Sequence, residues 1–166
     1  MLQSADSFTQ NLRDRRSQWM ALLARSPLEL LENALGEQAN QAPQWLRKPE
    51  TGLMMIEARA GGTGERFNLG EVSITRCALR LPNTQSDAPV GIAYVLGRSH
   101  KHARLAAMLD AIFLSSADQS FQEKTLAPIK QYLHAKRMER EERSTASKVE
   151  FFTVARESGA NDEMEE

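Results

Sequence analysis

The sequence predicts an α+β fold: a mainly antiparallel sheet of three to five strands, with an N-terminal helical hairpin and C-terminal helices. Apolar residues recur at helical spacing at both ends of the chain. Between them, period-two alternation broken by Gly, Pro and Asn clusters marks strands and turns. The helices and strands are segregated, which argues against an alternating parallel α/β wheel. A length of 166 residues suits one domain with its own core.

Residues 4–24 read as an amphipathic helix, with Phe8, Leu12, Trp19, Leu22 and Leu23 on one side and Arg13, Asp14, Arg15 and Arg16 elsewhere. Ser26-Pro27-Leu28-Glu29 opens a second helix: Ser26 can cap it, Pro27 suits the first turn and Glu29 closes a capping box. Leu28, Leu31 and Leu35 line its buried side, and Gly36 can end it. Two helices so close favour an antiparallel hairpin.

GEQANQAPQ reads as a linker, Trp45–Arg47 as a short strand and Lys48–Gly52 as a turn. Leu53–Ala60 is a strong strand, broken by Gly61-Gly62-Thr63-Gly64. A second strand runs from about Phe67 to Leu81: Val72, Ile74 and Ala78 alternate with Ser73, Thr75 and Cys77. Arg76 and Leu79 interrupt the two faces, which allows for a bulge or a face switch. Asn83–Pro89 is a polar loop, and Val90–Leu96 a third strand.

Ser99 can cap the next helix, whose apolar set is Leu105, Met108, Leu109, Ile112 and Phe113. Residues 118–145 continue as helix, with a break or kink expected at Pro128. Val149–Val154 is a last strand or extended arm. Residues 1–156 form the single domain, and 157–166 a disordered acidic tail.

Formal net charge is −1, but it averages two unlike parts. The last ten residues hold five acids and no Lys or Arg. The other 156 hold 21 basic and 17 acidic residues, a net of +4. One cysteine, Cys77, excludes an internal disulfide and any all-cysteine metal site. No secretory signal and no apolar run of about 20 residues is visible, so the expected protein is soluble and cytoplasmic. P-loop, HExxH, GxSxG and GxGxxG patterns are absent.

Several segments could carry chemistry. GGTGERFNLGE can be a tight hairpin turn; Gly61, Gly62 and Gly64 could instead present backbone N–H groups to a phosphate beside Arg66. GRSHKHAR puts Arg98, Lys101 and Arg104 at a helix start with no acid, where the dipole disfavours cations unless an anion or acidic partner arrives. His100 and His102, two apart, are poorly spaced for one metal on a helix, and no metal is expected. His134 reads as a helix-surface residue. Cys77 fits a small buried hydrophobe. An inward Arg76 would need Glu71, Glu57, a ligand or a partner subunit to pair its charge. Phe151 and Phe152, adjacent on a strand, would face opposite ways, so one can fill this core while the other meets a second chain. No catalytic constellation is complete within the chain.

Glu50–Leu81, with GGTGERFNLGE and TRC, resembles the hallmark stretch of the PhnG family of the bacterial carbon–phosphorus lyase complex. Val90–Ile112, with YVLGR, resembles its next block. Trp19–Glu32, Leu126–Arg137 and Val149–Ser158 match its first helix, last helix and terminal motif. The likeness spans about Arg16 to Arg156 and lapses in the acidic tail. It implies phosphonate breakdown: PhnG acts with PhnH, PhnI and PhnL to replace the adenine of ATP by a phosphonate. The products are adenine and a ribose 1-phosphonate 5-triphosphate. It attributes the displacement to PhnI and the later carbon–phosphorus cleavage to PhnJ, with G, H, I and J forming a two-fold core. It places no catalytic residue on this chain, and implies no cofactor bound by this chain alone, no nucleic acid and no membrane. Two roles follow: an assembly subunit, or a subunit whose basic segments hold the triphosphate or phosphonate directly.

Overall fold

The computed structural model describes residues 2–82, 87–116 and 118–146. The chain runs α1 (Leu2–Leu23), α2 (Leu28–Leu35), a 3-10 turn (Gly36–Asn40), β1 (Gln44–Arg59), β2 (Arg66–Arg80), β3 (Gly91–Leu96), α3 (His100–Ser115) and α4 (Gln119–Ala146). The sheet has the order β1-β2-β3 and is antiparallel throughout. This is the expected α+β class, with three strands among the described residues.

The core is built around α3. Its residues are buried on nearly every side, as a helix must be when apolar all round. The sheet covers one flank, and α1 and α2 cover others. Short side chains let strand and helix approach closely. A Cβ on Gly91 of β3 would lie 2.0 Å from the Ala107 carbonyl oxygen, so only glycine fits there. Trp19, Phe113 and Phe121 stack edge to face at 5.8 and 6.1 Å, tying α1, α3 and α4 together.

A buried carboxylate joins these layers. Asp110 of α3 is fully buried. It accepts from Arg16 Nη2 at 2.7 Å and Nε at 3.3 Å, from Trp19 Nε1 at 2.8 Å, and from the Ile92 backbone N–H at 2.9 Å. Arg16 also donates to the Val90 carbonyl at 3.1 Å. Four donors from α1 and β3 offset the desolvation of one charge.

The structure corrects several local expectations. Ser26 does not cap α2: its hydroxyl donates to the Pro27 carbonyl, and Pro27 itself holds the N-cap position. Gly36 does end that helix, at φ +53°. The linker after it is partly structured as the 3-10 turn, which buries Ala39. No turn interrupts Lys48–Gly52, because β1 runs through it as one strand. Register shifts between Trp45 and Arg47, and between Arg47 and Glu50, leave Pro49 unpaired on an edge strand, where its missing N–H is tolerated.

The bulge in β2 falls at Leu69, opposite Ile56/Glu57, well before Arg76. In β2 the buried face against α3 carries Thr75, Cys77 and Leu79; Val72, Ile74 and Ala78 lie on the other. Helix α4 continues through Pro128. Pro128 and Lys124, whose carbonyl loses its donor, are both exposed, so water can satisfy that oxygen.

Replacing Asp110 with Ala is expected to lower unfolding free energy by about 3–5 kcal/mol, because Arg16 loses its ion-pair partner and the Trp19 and Ile92 N–H groups lose their acceptor. Urea titration followed by circular dichroism measures this, and an unchanged midpoint would refute the linking role. Gly91→Ala is expected to destabilise by about 1–3 kcal/mol through overpacking on the same assay.

Candidate functional site

The start of α3 is basic, yet most of its groups already have partners. Ser99 caps the helix, its hydroxyl accepting from the His102 backbone N–H at 3.2 Å. Lys101 forms an ion pair with Glu32 of α2. Arg104 donates to the Ala39 carbonyl at 2.8 Å. The acid missing from the local sequence is supplied by another helix. Arg98 is exposed and has no partner among the described residues.

The two histidines serve different elements. His102 Nε2 donates to the Leu23 carbonyl at 2.9 Å, satisfying the end of α1. His100 sits at the end of a directed chain. Thr75 Oγ1 donates to the Gly97 carbonyl at 2.7 Å, so it accepts from Thr51 Oγ1 at 3.0 Å. Thr51 in turn accepts from His100 Nε2 at 3.1 Å. Among the described residues, no three His, Cys, Asp or Glu side chains stand close enough to hold a metal ion.

Arg76 does not point inward. It lies on the open face of the sheet, and its Nε donates to Glu50 Oε1 at 2.8 Å. The partner is therefore Glu50, not Glu57 or Glu71, because the shifted register sets Glu50 directly across from Arg76. Gly61, Gly62 and Gly64 form the hairpin tip. Gly61 and Gly62 have φ of +58° and +83°, and the Gly64 N–H donates to the Ala60 carbonyl at 2.8 Å. Arg66 follows, 3.7 Å from Glu57 across the hairpin. The basic residues thus occupy three places: the hairpin tip, the open sheet face and the start of α3.

Cys77 is buried, and its thiol donates to the Ala103 carbonyl at 3.1 Å. Burial pushes its pKa up to about 12, opposite to what a nucleophile needs.

The largest feature that sequence reading missed is an apolar arm. β1 and β2 pair from Gln44↔Arg80 to Arg59↔Arg66, whereas β3 pairs only with Ile74–Leu79. Beyond Gly52 and Ile74 the hairpin therefore continues as two strands. Leu53 and Met55 share the side of Thr51, and are 66% and 50% exposed. Met54 and Ile56 lie on the opposite side, with Val72. Leu69 and Phe67 are also exposed, as are Tyr94 and Leu96 of β3. Phe151, Phe152, the strand expected at Val149–Val154 and the acidic tail lie outside the described residues.

Residues 14–157 match the family model described as "Phosphonate metabolism protein PhnG". The chain belongs to the PhnG family. It is 37% identical over 145 residues to the protein of Rhizobium meliloti (strain 1021) named alpha-D-ribose 1-methylphosphonate 5-triphosphate synthase subunit PhnG. That match covers 86% of this chain and 89% of the relative. The PhnG match takes in the whole arm, the basic start of α3 and Phe151 and Phe152, and stops at the acidic tail. Among the described residues, no helix is long and apolar enough to cross a membrane.

Cys77 should resist iodoacetamide at pH 8 in the native chain and react once the chain is unfolded. Stability follows the same shift. The folded thiol holds its proton to a higher pH than the unfolded one, whose ordinary pKa is 9.0. Its contribution is therefore complete below pH 9 and is lost as pH rises towards 12. Urea midpoints across that range should fall less steeply in Cys77→Ala than in the native sequence.

Proposed function

We propose that this chain is the PhnG subunit of a ribose 1-phosphonate 5-triphosphate synthase, with an assembly role within it. The reaction replaces the adenine of ATP by a phosphonate, and the chain takes part alongside PhnH, PhnI and PhnL in the cytoplasm. ATP is a substrate of the assembly; the displacement belongs to PhnI, and PhnJ completes the core. The observation that carries this reading is the relative named as a synthase subunit, matched over nearly the whole length of both proteins.

The arrangement of the described residues supports the assembly role. The single thiol is buried and held protonated. His102 is committed to a backbone carbonyl and His100 to a threonine hydroxyl. Arg76, Lys101 and Arg104 bond to groups of the chain itself. A broad apolar surface is left open instead.

Co-expression of all the subunits tests this, with adenine release from ATP and methylphosphonate read by chromatography. Omitting this chain should lower the recovered assembly and the adenine released at least tenfold. Arg98→Ala separates the two roles. The assembly role expects adenine release within twofold of the native level. A tenfold loss in an intact assembly would instead assign direct contact with the anion.

A further inference from the structure

We propose that the two-stranded arm, Leu53–Arg59 with Arg66–Ser73, is clasped on both apolar faces by a cleft in another, different subunit of the assembly. Its charged tip then emerges into water beyond that cleft. This rests on the subunit reading above.

A two-stranded ribbon is at best marginally stable in water. This one carries Leu53 and Met55 on one face and Met54 and Ile56 on the other, with three of these four exposed. Among the described residues nothing pairs with its edges either, because β1 is an edge strand and β3 stops at Ile74. The open sheet face carries the exposed surface onward through Tyr94 and Leu96 of β3.

Area argues for a clasp. Seven residues of β1 and eight of β2, one of them bulged, make an arm roughly 25 Å long, and two strands with their side chains are roughly 10 Å wide. One face then offers about 250 Å², a third of the roughly 800 Å² that each partner gives to a specific interface. Two arms stacked from two copies would cover one face each and leave the other wet. Both faces together with the adjoining open sheet bring the total near the required range.

Charge argues against a lipid occupant. Glu57, Arg59, Glu65 and Arg66 cluster around the tip, which would have to lead into the bilayer. A cleft open at its far end lets the same tip remain hydrated.

Leu53→Asp and Met54→Asp test the two faces separately, since neighbouring strand residues point opposite ways. In the co-expressed assembly, with the affinity tag on this chain, each should lower recovery of the other subunits at least tenfold. Leu53→Ser and Met54→Ser should act in the same direction. Met138→Asp, on the exposed part of α4, should leave recovery unchanged. Circular dichroism of each full-length variant checks that the body stays folded. Loss from only one face would overturn the clasp in favour of a one-sided contact. Full recovery with both Asp variants would overturn the arm as the docking element. A dimer of the free chain, split by Leu53→Asp in light scattering, would make a second copy the occupant and overturn the proposal. If the native chain itself fails to recover the other subunits, the subunit reading fails and the proposal falls with it.

Discussion

The carboxylate of Asp110 sits at the centre of the domain with no access to water, and its charge must be balanced by groups from other elements. Arg16 and Trp19 bring α1, and the Ile92 N–H brings β3. Each donor has a direction, so the helix cannot slide or the strand shift without leaving a buried charge short of partners. Gly91, beside Ile92, permits the close approach that this bond requires. Once α3 is fixed against β3, its first turn is fixed too. Ser99, His100 and His102 then fall where they can meet α3 itself, Thr51 and the end of α1. The place where the hairpin leaves the body is thereby set by a contact at the opposite end of α3.

Body and arm obey opposite rules. Among the described residues, the body leaves no buried side-chain nitrogen or oxygen without a partner. Even its basic patches are largely absorbed, through Glu32, Glu50 and the Ala39 carbonyl. Among the described residues, the arm has apolar side chains exposed on both faces and no layer above or below it. Contiguous exposed apolar surface rimmed by polar groups is where interaction sites are found.

The helices and the antiparallel α+β class were legible because amphipathic periods and glycine turns are local properties. What was not legible depended on tertiary placement. Pro49 looks like a turn residue in sequence, and only its place on an edge strand makes it compatible with β1. Pro128 looks like a helix breaker, yet α4 continues where Lys124 and Pro128 are both exposed and water can reach the backbone. The partners of Arg76 and Asp110 lie 26 and up to 94 residues away, beyond any spacing argument. The apolar run Leu53–Ile56 reads the same whether it faces a core or water. Period two reveals a strand, not what covers it.

That last ambiguity bears on function. The basic start of α3 suggested an anion site because cations at a helix N-terminus conflict with its dipole. In the fold, Glu32 relieves Lys101 and a backbone carbonyl takes up Arg104, so the conflict is largely resolved within the chain. The arm presents a conflict that the chain does not resolve. Its side chains are too apolar for a solvated ribbon and its tip is too charged for a core or a bilayer. The proposed neighbour, covering the shaft and sparing the tip, would reconcile the two. Such a neighbour would suit the assembly role proposed for the chain.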